Sequence, residues 1–330
     1  MRAIVRKSFG GPEVLTVAEL PDPTPRPGYV LIEVKAFGVN HAETHMRNGE
    51  WAEAARVSGI ECVGIVSACP DRSFSPGQKV VALMGGMGRT IDGSYAELAC
   101  PPIGNVVAID SALSWDQLAA IPESYATAWA CLHGNLAVTA GQSLVIRGAT
   151  SALGQAALNI AAHAGVQVIA TTRRRERFAT LEALGARRVL VEGSDLSGLV
   201  RSIHPHGVDG VLELVGNSTL LDSLTMVRRD GRLCLAGFLG GLAPIAQFNP
   251  LLQMPSRVHL SFFGSFVLGS PDFPIADVPM QTIVDRVAAG VYKAKPARVF
   301  AFEEIAEAHR VMELGAANGK LVVRLTSDGA

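Results

Sequence analysis

Residues 148–154 read Gly-Ala-Thr-Ser-Ala-Leu-Gly, between the apolar run Ser143-Leu-Val-Ile-Arg147 and an alanine-rich stretch at 152–164. Small side chains at a strand-to-helix junction let backbone come close to a ligand, and the first helical turn leaves amides free for an anion. Cradling a diphosphate is the chemistry that fits, with Thr150, Ser151, Ala152, Leu153 and Gly154 nearest the charge. Ser151 and Ala152 stand where a glycine-rich fingerprint has glycines, so a plain sheet-packing turn is the competing reading. Roughly 20 residues on, the spacing that fingerprint requires, comes Thr171-Thr-Arg-Arg-Arg175. A carboxylate there would take a ribose 2′-hydroxyl. Thr172, Arg173 and Arg174 instead offer a hydroxyl and two guanidinium forks, which suit a 2′-phosphate. The two features together predict NADPH rather than NADH.

Such a loop works only if a parallel sheet holds it. Strand-like runs at 143–147, 167–171, 188–191, 211–215, 232–236 and 258–262 alternate with helical stretches at 152–164 and 176–183, which predicts a parallel sheet with crossover helices. The first 120 residues differ, with short apolar runs at 30–35, 61–67 and 79–83 separated by turn residues, as in a small, mostly β domain. Helices at 280–289 and 302–314 and a strand at 320–324 make a tail too short to stand alone, so it returns to the first domain. The expected class is α/β, with a doubly wound parallel-sheet domain at 123–265 inserted into a mostly β domain of 1–122 plus 266–330.

Composition removes several classes of function. The chain has 330 residues and a formal net charge of −1, with no long run of one sign, against nucleic acid or a charged membrane surface as partner. Five singly scattered cysteines suggest neither disulfides nor a thiolate zinc lobe, and a cytoplasmic setting is expected. Between Glu123 and Arg173 the only charged residue is Arg147, but glycines and amides interrupt the stretch, favouring a buried strand–turn–helix–strand unit over a membrane span.

Several blocks then carry a resemblance. Gly38-Val-Asn-His-Ala-Glu-Thr-His-Met-Arg-Asn-Gly49 resembles G-x-N-x-x-[DE]-x-x-x-R-x-G, and Gly59-Ile-Glu-Cys-Val-Gly64 resembles G-x-E-x-x-G. Gly93-Ser-Tyr-Ala-Glu97, Ala126-Thr-Ala128 and Gly319-Lys-Leu-Val-Val323 follow in order. Together they resemble the medium-chain dehydrogenase/reductase superfamily, in particular its zinc-independent quinone oxidoreductase branch. The resemblance implies a GroES-like catalytic domain around a Rossmann domain, and a homodimer whose Rossmann sheets continue across the interface. It places Asn40 and Thr127 near the nicotinamide, Val215, Gly216, Gly237 and Phe238 along the ribose and nicotinamide, Phe262 and Phe263 as pocket wall, and Lys320 within reach of the cofactor.

Zinc-dependent members use a cysteine and a histidine where this chain has Asn40 and Ile60, a poor ligand and a non-ligand, so no metal site is expected. Without a Lewis acid an unactivated alcohol keeps its high pKa, whereas quinones and activated alkenes already draw electrons. The expected activity is NADPH-dependent hydride transfer to such a small acceptor. An enone, alkenal or enoyl-thioester reductase is the alternative, and a non-catalytic NADPH-binding sensor or structural protein the rival of another class. His45 stands where related quinone reductases often carry tyrosine. Trp51 offers a stacking face and His45 a hydrogen bond or a proton, while a solvated or backbone-bonded histidine is the plainer reading. Tyr125 is a second possible donor, and Glu43 and Glu61 are expected to bond backbone groups between the domains.

Overall fold

The computed structural model describes residues 1–325, and the chain divides into two compact units. One comprises Met1–Ala126 and the segment from Ser265 onward; the other is Thr127–Gly264. The α/β class is present as expected, with a GroES-like β unit and a parallel six-stranded Rossmann sheet.

In the Rossmann unit the strand order is Arg188–Val191, Gln167–Thr172, Ser143–Arg147, Val208–Glu213, Val227–Leu235, His259–Phe262, all parallel. Consecutive Leu144, Val145 and Ile146 are wholly buried, as in a strand covered on both faces. Ala156, Ala157 and Ala161 of the helix Ala152–His163 are also buried, and such small side chains let a helix lie close to its sheet. The order reverses between Ser143–Arg147 and Val208–Glu213, and ligands of this fold bind at the carboxyl ends of strands at that point.

In the other unit the sheet runs Arg298–Ala301, Leu321–Arg324, Leu31–Val39, Glu61–Ala68, Lys79–Leu83, Val106–Ala108, with Leu98–Ala99 added to Leu31–Val39. The returning strand is antiparallel to Leu31–Val39, with Leu321 paired to Val39. One step further along that register brings Lys320 opposite Asn40. The mostly aliphatic core holds an aromatic cluster: Phe37 stacks on Tyr95 at 4.5 Å and meets Phe302 edge-on at 6.5 Å.

Boundaries differ from the sequence reading where side chains compete with the ladder. The strand expected at 211–215 is Val208–Glu213, because the Glu213 carboxylate takes the amides of Val215 and Gly216 at 2.7 and 3.0 Å. The helix expected at 176–183 opens as a 3-10 turn, Arg175–Arg177, before Phe178–Ala183. The uncharged stretch resolves into short elements, and among the described residues no helix is long and apolar enough to cross a membrane.

Candidate active site

The loop at 148–154 is built by its own small polar residues. Gly148 takes φ +84°, and its amide donates to Thr171 Oγ1 at 3.1 Å. Ser151 caps the following helix, its Oγ accepting from the Gly154 amide at 3.0 Å and donating to the Gly148 carbonyl at 2.9 Å. A Cβ on Gly154 would sit 2.7 Å from Ala149 Cα and the Gly148 carbonyl oxygen, so only glycine lets the helix start there. The amides of Thr150, Ala152 and Leu153 have no acceptor among the described residues, which leaves a helix start with donors aimed at an anion. At the end of the neighbouring strand the Arg174 amide donates to Thr172 Oγ1 at 3.2 Å. Arg173, Arg174 and Arg175 are exposed, and no carboxylate pairs with them among the described residues. The residues present fit a diphosphate with a further phosphate on the adenosine side.

Beneath the loop lies a hub that sequence reasoning did not single out. Arg147, 2 % exposed, bonds Glu192 through Nε and Nη2, Asp222 through Nη1 at 2.7 Å and Ser223 Oγ at 3.0 Å. Glu192 also accepts from Thr171, the residue that holds the Gly148 amide. Ser223 donates to Glu213, which holds the Val215 and Gly216 amides. One guanidinium thus ties the 148–154 loop to the strand end at 215–216. Gly216, at φ +108°, and Gly237 pack where a Cβ would strike backbone. Phe238 lies 6.2 Å from Phe262, whereas Phe263 is buried, so the two neighbouring phenylalanines occupy different environments. Thr127 is buried in the helix Pro122–Trp129.

In the GroES-like unit Asn40, Glu61 and Lys320 meet. Lys320 Nζ donates to Asn40 Oδ1 at 2.5 Å and to Glu61 Oε1, and Asn40 Nδ2 donates to Glu61 Oε1 at 2.9 Å. The ammonium that the resemblance directs toward the cofactor is placed on these two side chains. A methyl on Gly38 would run into Lys320 Cε and Glu61 Oε1, so this glycine leaves room for the pair. Glu61 Oε2 accepts from the Glu123 amide at 2.8 Å, and Glu43 accepts from the amides of Asn40 and Ile60 at 2.7 and 3.0 Å. Both glutamates bond backbone as expected, but all of these partners lie inside this one unit.

His45 and Trp51 do come together, with ring centroids 5.9 Å apart and planes 14° from parallel. Tyr125 stacks on Tyr292 at 5.7 Å, and its buried hydroxyl has no partner among the described residues. Burial and the neighbouring Tyr292 push that phenol's pKa up, keeping it a donor.

Two buried titrating groups stand behind Asn40. Tyr95 Oη donates to Glu43 at 2.5 Å and lies 3.1 Å from His309 Nε2, whose Nδ1 faces Arg47 at 3.0 Å. Burial raises Glu43 from 4.5 to about 7, against its hydrogen bonds from Tyr95, Asn40 and Ile60. Burial and the Arg47 charge lower His309 from 6.5 to about 3. The raised Glu43 favours the folded state below pH 4.5, and that contribution is lost as pH rises through about 7. The depressed His309 favours it above 6.5, and that contribution is lost as pH falls toward about 3. At 1.36 kcal/mol per unit, each is worth on the order of 3–5 kcal/mol. Glu43→Gln is expected to flatten the decline in stability between pH 4.5 and 7, and His309→Gln the decline below 6.5, in urea titrations across pH.

Two family models match, the alcohol dehydrogenase GroES-like domain over residues 26–111 and the zinc-binding dehydrogenase over 152–279. The mouse quinone oxidoreductase is 30 % identical over 270 residues, covering 79 % of each chain, and the human quinone oxidoreductase 28 % over 338 residues, covering 98 % of each. A mycobacterial structure solved in complex with NADPH superposes with a TM-score of 0.87 at 25 % identity, covering 98 % of this chain and 99 % of that one. The chain belongs to the medium-chain dehydrogenase/reductase superfamily and, within it, is a quinone oxidoreductase-like oxidoreductase. The zinc named by one family model does not fit the residues present. Ile60 has no donor atom, the Asn40 oxygen is engaged by an ammonium that repels a dication, and no three metal-ligating side chains gather among the described residues.

Proposed function

We propose that this chain reduces a quinone, or a similarly electron-poor small molecule, with NADPH and without a metal. When bound, the reduced nicotinamide supplies the hydride. The chain's own residues hold the diphosphate on the amides of 150, 152 and 153 and the 2′-phosphate on Thr172, Arg173 and Arg174. Trp51 offers a flat face to the acceptor ring, and His45 a polar nitrogen to its oxygen. Asn40 is held by Lys320 and Glu61, and the family resemblance assigns it, like Thr127, to the nicotinamide end. The observation that carries the reading is the capped loop with open amides followed by arginines that no carboxylate neutralises among the described residues. Likeness to relatives named quinone oxidoreductase supports the acceptor class. A homodimer is part of the proposal.

Binding titrations with NADPH and NADH, and turnover with a panel of quinones, enones and alkenals, test it. A 2′-phosphate preference below about threefold would count against the arginine assignment. Arg173→Ala/Arg174→Ala is expected to weaken NADPH binding by about 10- to 100-fold while NADH binding changes less than about twofold, since only the extra phosphate loses its charge-assisted bonds. NADPH bound but never consumed by any acceptor would favour a sensor.

A further inference from the structure

Reduction of a quinone takes up a proton as well as a hydride, and one side chain is set up to carry it. The helix His41–Asn48 ends at Gly49, whose φ of 77° turns the chain back on itself. The amide of the next residue, Glu50, then bonds the His45 carbonyl at 3.0 Å, and its carboxylate bonds His45 Nδ1. His45 is 8 % exposed, and its other nitrogen, Nε2, is buried with no partner among the described residues. Trp51 lies nearly parallel to the ring on one side, and His41 meets it edge-on at 5.3 Å. A buried imidazole nitrogen left without a partner costs free energy unless a ligand completes it.

We propose that Glu50 is a positioning residue that holds His45 by its Nδ1–H and so presents Nε2–H to the acceptor oxygen as the proton donor of the reduction. This rests on the oxidoreductase reading above. In the step, hydride from the reduced nicotinamide adds to the acceptor, the Nε2–H bond of the imidazolium breaks and an O–H bond forms on the acceptor oxygen. The N–H electron pair stays on Nε2, and a quinone plus hydride plus proton becomes the hydroquinone. The neutral ring keeps its Nδ1–H on Glu50, which fixes the tautomer, and takes the next proton at Nε2 from water. Of the other ionisable groups nearby, His41 meets the ring itself, Glu313 acts on His41, and Arg89, paired with Glu53, lies over the Trp51 ring. His41 is held toward its neutral form by burial and by the charge of His45, so Glu50 is the carboxylate that bonds the ring directly.

The test compares wild type, Glu50→Ala, Glu50→Asp and His45→Ala in steady-state kinetics with NADPH and a quinone, and in histidine ¹⁵N NMR spectra, which report the ring nitrogen that carries the proton. Glu50→Ala is expected to lower kcat about tenfold with KM changed less than about twofold, and to mix the two neutral tautomers of His45, since the carboxylate no longer accepts from Nδ1–H. Glu50→Asp should recover part of the rate and of the single tautomer, and His45→Ala should lose at least as much rate as Glu50→Ala. A Glu50→Ala variant with wild-type kcat overturns the proposal while leaving the quinone reading intact. A lower kcat with an unchanged tautomer makes Glu50 merely structural and overturns it equally. A wild type that turns over no acceptor defeats the oxidoreductase reading itself, and the donor role with it.

Discussion

Replacing Arg147 by methionine is expected to cost about 3–5 kcal/mol of unfolding free energy, the usual loss when one partner of a buried charge network is removed. The reason is what remains. Glu213 is fully buried, and Glu192 and Asp222 are 15 % and 23 % exposed, so their charges would lose the only cation bonded to them among the described residues. Burial already raises the Glu213 pKa against the pull of Ser223, the Gly216 amide and Arg147; without the guanidinium it rises further. The deficit of Arg147→Met should therefore shrink as pH falls, because a carboxyl with a raised folded pKa favours folding when protonated. Denaturant titrations of both proteins at several pH values would show it. Because the hub also holds the amides of 148, 215 and 216, NADPH affinity should fall as well, and Arg147→Met/Glu213→Gln should regain part of both losses.

Lys320→Met is expected to be comparably damaging, about 3–5 kcal/mol. Glu61 is wholly buried and would keep only the donors from Asn40 and Glu123. The Asn40 amide would also lose the bond that holds its oxygen, so turnover should fall even at temperatures where the variant stays folded. Pairing the change with Glu61→Gln removes the uncompensated charge, and a double-mutant cycle should recover at least about 1 kcal/mol of coupling. Gly38→Ala supplies an independent route, since its methyl would push the same pair apart. Wild-type stability in Lys320→Met would show that the Asn40 and Glu123 donors suffice to hold Glu61.

Much of the architecture could be read along the chain because it is encoded locally. Strand, small-residue turn and alanine helix at 143–164 announce themselves, since each step depends on residues within a few positions. The arginines at 173–175 follow at the spacing one crossover requires. The zinc positions could be judged from residue type alone, as an isoleucine cannot ligate wherever it lies.

Sequence by itself therefore determined the class of fold, the place of the small-residue loop and of the arginines after it, and the residue types available to a ligand. Tertiary structure alone decided which buried charges meet. Lys320 reaches Asn40 and Glu61 across 280 and 259 positions because the last strand pairs in one register with Leu31–Val39, and a shift of one residue would turn its side chain to the other face. Arg147 gathers Glu192, Glu213 and Asp222 because parallel strands end where the helix Leu220–Met226 begins. Burial then makes these pairings matter, for in water the same charges would be worth little, and no local pattern in the chain reports how far each will be taken out of it.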